Sequence, residues 1–176
     1  WKADQKNWQR IIDVNLMSVI YGLNLFVAEM VASQERCHII NTSSMAGIIV
    51  GPALAPYTTT KHAVVGLTRT LHEDLADNDM VGVSVLCPGL VQTNIIDRDH
   101  LGLALDESSI DQHESAKNNA QWLADGVKEG MSPEDLATIV FKKIESNEFW
   151  ILTHPEFVEV YETYADEITA NKNNLN

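Results

Sequence analysis

A tyrosine and a lysine, Tyr57 and Lys61, stand four residues apart in "YTTTK", with the serine pair Ser43 and Ser44 a short loop upstream. On a helix that spacing stacks both side chains on one face. An ammonium beside a phenol favours the phenolate, so Lys61 is expected to lower the Tyr57 pKa from its ordinary value of about 10. Tyr57 could then release or accept a proton near neutral pH. A hydroxyl just past a strand end, as in "NTSS", can hold a carbonyl or alcohol oxygen beside the phenol. Taken singly these signals are weak: Tyr-x-x-x-Lys arises readily by chance, and paired serines are common turn chemistry. Their order carries the weight, because the serines close an apolar strand and the helix leads into another strand and "PGLVQT".

The elements that must hold these residues are legible in the apolar spacing. Trp8, Ile11, Ile12, Leu16, Val19, Ile20, Leu23, Phe26, Val27 and Met30 recur at helical intervals, with Asp4 as a plausible N-cap. Nearly thirty residues is long for one globular helix, so a bend is expected at the polar interruption, Asn15. "CHIINT" (Cys37 to Thr42) and "VGVSVLCP" (Val81 to Pro88) read as buried strands, with a helix from about Pro56 to Asp77 between them. Gly47, Gly51, Pro52 and Pro56 make the intervening stretch a loop. A further helix is expected around Ser109 to Asp125. "SPEDLATIVFKKIES" opens with Ser132 as cap and Pro133 in the first turn, and Phe149 to Leu152 forms a short strand before a closing helix. Alternating helices and continuously apolar strands imply an α/β fold, a parallel sheet covered on both faces, as one domain over residues 1–176. Cys37 opens its strand and Cys87 nearly ends its own, so parallel neighbours would keep the two thiols at opposite ends of the sheet.

Composition narrows the partners. Twelve Lys and Arg face 25 Asp and Glu, a formal charge of −13. Such a surface repels phosphate backbones and anionic lipid, which argues against nucleic acid and membrane. The acidity is concentrated from Leu101 onward, where fifteen acids meet five bases. No uninterrupted apolar run reaches bilayer-spanning length, and two free buried thiols suit a reducing cytoplasm. Other chemistries find little support. His72 and Glu73 begin a zinc-protease pattern, but Ala76 stands at the second ligand position, and the six histidines show no ligand spacing. Asn41 and Thr42 occupy the place where a serine hydrolase wants glycine.

The ordered motifs resemble the short-chain dehydrogenase/reductase family: "VNL" with Asn15, "NTSSMAG" with Ser44, "YTTTK" with Tyr57 and Lys61, and "PGLVQT" from Pro88 to Thr93. The match is strongest from residue 8 to 93 and looser toward the C-terminus. The resemblance implies a doubly wound, Rossmann-like three-layer fold and an NAD or NADP cofactor. It implies that Tyr57 is the general acid in ketone reduction and the general base in alcohol oxidation, and that Lys61 tunes it and holds the nicotinamide ribose. By the same resemblance Ser44 binds the substrate oxygen and Asn15 anchors a relay water. Pro88, Gly89, Val91 and Thr93 would border the nicotinamide, Val91 and Thr93 nearest its carboxamide.

The family's glycine-rich turn and Asn-Asn-Ala-Gly do not occur in these 176 residues. The expectation is therefore an N-terminally incomplete domain that is poorly soluble and inactive by itself. The expected reaction is interconversion of an alcohol and a ketone or aldehyde. A same-fold epimerase or dehydratase, or a catalytically silent chain, are the alternatives. A small or medium apolar substrate is expected, free in solution, because the acidic C-terminal half would repel an acidic carrier protein. Residues 94–131 form the candidate substrate segment, in which Ile95, Ile96, Leu101, Leu103, Leu105 and Trp122 either line a pocket or simply pack. In the family that the motifs resemble, the helix from about Asn15 and the helix from Tyr57 pair with their symmetry mates. Both are long here, with apolar positions beyond one buried stripe, Val19, Tyr21 and Leu25 among them, which implies a homodimer or homotetramer.

Overall fold

The computed structural model describes residues 4–96 and 114–173. The long apolar segment at the start folds as α1 (Gln5–Ile12), a π-helical turn (Asp13–Met17) and α2 (Ser18–Ser33). Asp4 caps it as expected, its Oδ1 accepting the Asn7 N–H at 2.7 Å. The expected interruption at Asn15 is the π turn itself, which widens the helix by one residue per turn and re-aims its side chains. The joined helix runs 29 residues, and the mean hydropathy of its most apolar stretch reaches 1.7. By length and composition alone it could cross a bilayer, which the absence of an unbroken apolar run had concealed. One side of it is used inside the fold, however, since Leu23, Val27 and Met30 pack against the sheet.

The sheet is parallel with order β1-β2-β3, formed by β1 (Cys37–Thr42), β2 (Val81–Cys87) and β3 (Trp150–Leu152). Cys37 pairs with Val81 and Thr42 with Leu86, while Cys87 pairs with Leu152. Cys37 and Cys87 therefore lie at opposite ends of the sheet, and both are free thiols. Odd-numbered residues of β1 and β2 face α2 and α3 (Ala55–Asp74): Ile39, Val81 and Val83 meet Leu71 and Leu75. A second cluster unites Met45, Val85, Cys87 and Phe149 with Val65 and Phe157. Helices cover both faces. α5 (Pro133–Glu145) packs on β2 and β3.

Boundaries moved where side chains compete with helical bonds. α3 stops at Asp74 rather than Asp77, because Asn78 Oδ1 accepts the N–H groups of Met80 and Val81 and turns the chain into β2. α4 (Glu114–Glu129) extends four residues past the expected Asp125, and the expected start at Ser109 lies outside the described residues, as do Leu101, Leu103 and Leu105. Ser132 caps α5 in both directions: its Oγ accepts the Asp135 N–H at 3.1 Å and donates to the Asp135 carboxylate at 2.7 Å. After β3 the chain passes through a 3-10 turn at Pro155–Phe157 into α6 (Val158–Asn173).

Candidate active site

The C-terminal ends of β1 and β2 gather the residues singled out by chemistry. β1 ends at Thr42, and Ser43 continues along the neighbouring strand, its N–H donating to Leu86 O at 2.8 Å. Ser44 follows in extended conformation and caps a short 3-10 turn, its Oγ accepting the Ala46 N–H at 3.1 Å. The Ser44 hydroxyl proton is directed at Pro88 O across 3.4 Å, a long bond that leaves it nearly free to serve another acceptor. Ser43 has a different duty. Its hydroxyl donates to Lys61 O at 2.8 Å, pulling the start of α3 against the strand end. Gly47 permits that approach, since a Cβ there would stand 2.3 Å from Ser43 Oγ and 2.7 Å from Lys61 O.

Tyr57 occupies the first turn of α3 and Lys61 the next. The Lys61 ammonium lies 5.6 Å from the Tyr57 ring centroid and donates to Thr42 O at 3.2 Å. Asn15 reaches the same turn from the other side: its Nδ2 donates to Thr60 Oγ1 at 3.1 Å, and Thr60 Oγ1 donates to Tyr57 O at 2.8 Å. Thr60 is almost fully buried, so this link is shielded from water. Sequence reasoning had passed over Thr60. Nothing in "YTTTK" distinguishes it from the two threonines before it, because its role depends on Asn15, 45 residues away.

Electrostatics correct one expectation. Burial raises the Tyr57 pKa above its ordinary value, and the nearby Ser44 hydroxyl only partly opposes it. The expected lowering by Lys61 does not dominate, because the ammonium sits over the ring and toward the Thr42 carbonyl while the phenol pays the larger cost of desolvation. Burial likewise lowers the Lys61 pKa, with the nearby Cys87 opposing. Cys87 itself is pushed up to about 12 by burial, despite help from Ser44, Ser43 and Lys61.

The fourth motif lies across the strand ends. Pro88 and Gly89 follow β2 directly, with Met45 N–H donating to Pro88 O at 2.8 Å. Val91 is buried and forms an isolated parallel bridge with Met131, closed by the Met131 N–H to Leu90 O and the Gln92 N–H to Met131 O, both 2.9 Å. Thr93 is exposed, its Oγ1 within 3.4 Å of Ile95 N. Thus Ser44, Tyr57, Lys61 and the Pro88–Thr93 loop converge, and Asn15 is joined to them through Thr60. Two cavities lie elsewhere, an apolar groove of about 260 Å³ between α2 and β1 and a polar one of about 460 Å³ at the opposite end of β2.

The short chain dehydrogenase family profile matches residues 2–101, more than half of the chain. This chain belongs to the short-chain dehydrogenase family. Among its relatives is the CLA biosynthesis dehydrogenase/reductase of Lactiplantibacillus plantarum, 29% identical over 97% of this chain and 61% of that protein. The C alpha-dehydrogenase of a Sphingobium species is 32% identical over 94% of this chain and 52% of its own length. A short chain dehydrogenase/reductase from Burkholderia phymatum, solved in complex with NAD, superposes with a TM-score of 0.85 at 32% identity. That superposition covers 97% of this chain and 62% of the other. The chain therefore spans about half to three-fifths of these relatives' length. The α/β fold expected from strand and helix alternation is the family's fold.

Proposed function

We propose that this chain carries the catalytic end of an NAD- or NADP-dependent oxidoreductase that interconverts an alcohol and a ketone or aldehyde. The observation that carries the reading is the convergence of Ser44, Tyr57 and Lys61 at the strand ends. The Ser44 hydroxyl, only loosely committed to Pro88 O, turns to the substrate oxygen and holds it beside the Tyr57 phenol. Tyr57, kept protonated by burial, donates its proton to the oxygen as negative charge develops there in reduction. In oxidation the phenolate takes the proton from the alcohol, stabilised by the Lys61 ammonium that lies 5.6 Å from the ring centroid.

The residues present fit a nicotinamide cofactor. Lys61 spends one ammonium proton on Thr42 O, which leaves donors for a ribose hydroxyl, and the Pro88–Thr93 loop offers backbone groups at the same strand end. Tyr57, Lys61, Pro88, Gly89, Val91 and Thr93 would hold it, and when bound it supplies the hydride acceptor or donor. The NAD bound in the Burkholderia phymatum structure and the dehydrogenase names of both relatives support this reading. Residues 94–131 serve as the substrate segment of a single domain, with Ile95, Ile96 and Trp122 exposing apolar surface for a small or medium apolar substrate. The free thiols Cys37 and Cys87 suit a cytoplasmic setting. Self-association into a homodimer or homotetramer is supported by the exposed apolar face of α2.

The test is Tyr57→Phe in the full-length protein, read by NAD(P)H absorbance against a panel of ketones and alcohols. Turnover is expected to fall about 10²-fold or more with cofactor affinity nearly unchanged. Retention of more than about a tenth of the wild-type rate would remove Tyr57 from the mechanism.

A further inference from the structure

Histidine at the end of β3 closes on the loop that follows β2. Register places Leu152 beside Cys87, so the residues after each strand leave the sheet side by side. The buried Thr153 and then His154 meet Gly89 and Leu90 there. His154 Nδ1 lies 3.1 Å from Gly89 N and 2.7 Å from Thr153 Oγ1, while Nε2 lies 3.1 Å from Leu90 O.

These partners select one tautomer. Gly89 N–H can only donate, so Nδ1 must be the bare nitrogen, and Thr153 donates its hydroxyl proton to it as well. Leu90 O can only accept, so Nε2 carries the proton. The imidazole thus takes a bond from one end of the Gly89–Leu90 segment and gives one to the other. Leu90 O is held a second time by the Met131 N–H at 2.9 Å. The ring also lies against the Gly89 backbone so closely that a Cβ there would stand 2.5 Å from its Cγ. Phe157 supports the ring from behind, centroid to centroid 6.1 Å. A general surface histidine has none of these features.

We propose that His154 is a positioning residue, which fixes the Gly89–Leu90 backbone and so sets the surface that the Pro88–Thr93 loop presents to the nicotinamide. The inference rests on the cofactor-binding reading of that loop. It extends that reading by bringing in the C-terminal segment, which carries no residue of the four motifs.

Three variants of the full-length protein separate the possibilities. His154→Phe keeps a ring beside Gly89 and removes both bonds. His154→Asn restores an acceptor within reach of the Gly89 N–H. His154→Gln retains a donor directed toward Leu90 O and withdraws that acceptor. Amide exchange at Gly89, read by NMR in the cofactor-free protein, is expected to accelerate about tenfold in the Phe and Gln variants and to return toward wild type with Asn. The cofactor KM should follow the same order, rising about tenfold for Phe and Gln, with the KM for the alcohol or ketone changed less than about twofold. Unchanged exchange at Gly89 in either variant overturns the clamp. Faster exchange with an unchanged cofactor KM overturns the positioning role. A wild-type protein that binds neither NADH nor NADPH overturns the cofactor reading and this role together, and the exchange measurement, made without cofactor, tells that failure from failure of the clamp. Should His154→Phe not fold, the Asn and Gln pair gives the same decision.

Discussion

Tyr57 shows how a residue's neighbours in sequence can mislead about its acidity. Lys61 lies one helical turn away, yet burial decides the direction and holds the phenol above its ordinary pKa. On the mechanism we propose, the proton is in place for reduction throughout the neutral range and must be lost for oxidation. Oxidation should climb in kcat/KM as pH rises above about 7, while reduction stays level over the same range. Profiles for both directions at fixed ionic strength check this, and an oxidation plateau already reached below neutrality would contradict it. Cys87 offers a second titration. Its thiol is pushed from 9.0 up to about 12, so the folded state holds the proton more tightly than the unfolded chain. That stabilisation is complete below about pH 9 and is lost as pH rises toward about 12, at a slope approaching ~1.4 kcal/mol per pH unit. Urea unfolding of wild type and Cys87→Ala at increasing alkaline pH isolates it. Wild type should lose stability faster than the variant, and equal slopes would refute the assignment.

Among the elements, the π turn and the α5 cap show two kinds of local control. The π turn at Asp13–Met17 presents Asn15 to Thr60, so a local irregularity in one helix is tied to the turn of α3 that carries Tyr57. The α5 cap is simpler and more exposed to test. Ser132 accepts the Asp135 N–H and donates to its carboxylate, satisfying one of the four free donors at a helix start. Ser132→Ala should cost about 1 kcal/mol in urea unfolding without altering turnover. A change below about 0.3 kcal/mol would mean that Pro133 and packing alone start α5.

At the scale of the molecule, the outer face of the first long helix exposes apolar side chains. Tyr21 is 58% and Leu25 66% exposed, on the side opposite Leu23, Val27 and Met30, whereas Phe26 shares a groove with those three. Burying Tyr21 and Leu25 on each of two subunits is worth several kcal/mol, on the order of 25 cal/mol per Å² of apolar area. Tyr21→Glu combined with Leu25→Glu in the full-length protein should convert an oligomer to monomer by light scattering. A wild-type protein already monomeric at micromolar concentration would refute association through this face.

Much of this architecture was legible along the chain. Both longer strands, the interruption at Asn15, the caps at Asp4 and Ser132, and the order Ser44, Tyr57, Lys61 follow from short-range rules: apolar period, capping chemistry and helical spacing, each readable within a few residues. The opposed positions of Cys37 and Cys87 also followed, because parallel pairing converts position along a strand into position across the sheet. What needed the tertiary structure were the quantities set by residues far apart in sequence. Burial, not the adjacent lysine, directs the Tyr57 pKa, and burial depends on how α3 packs on the sheet. Thr60 gains meaning only when Asn15 arrives from 45 residues away. His154 and Gly89 are separated by 65 residues, and nothing in either neighbourhood announces that the register of β3 on β2 brings an imidazole against a glycine amide. Local chemistry determined which groups this protein carries. Packing decided which of them meet, because hydrogen bonds and desolvation act across space rather than along the chain.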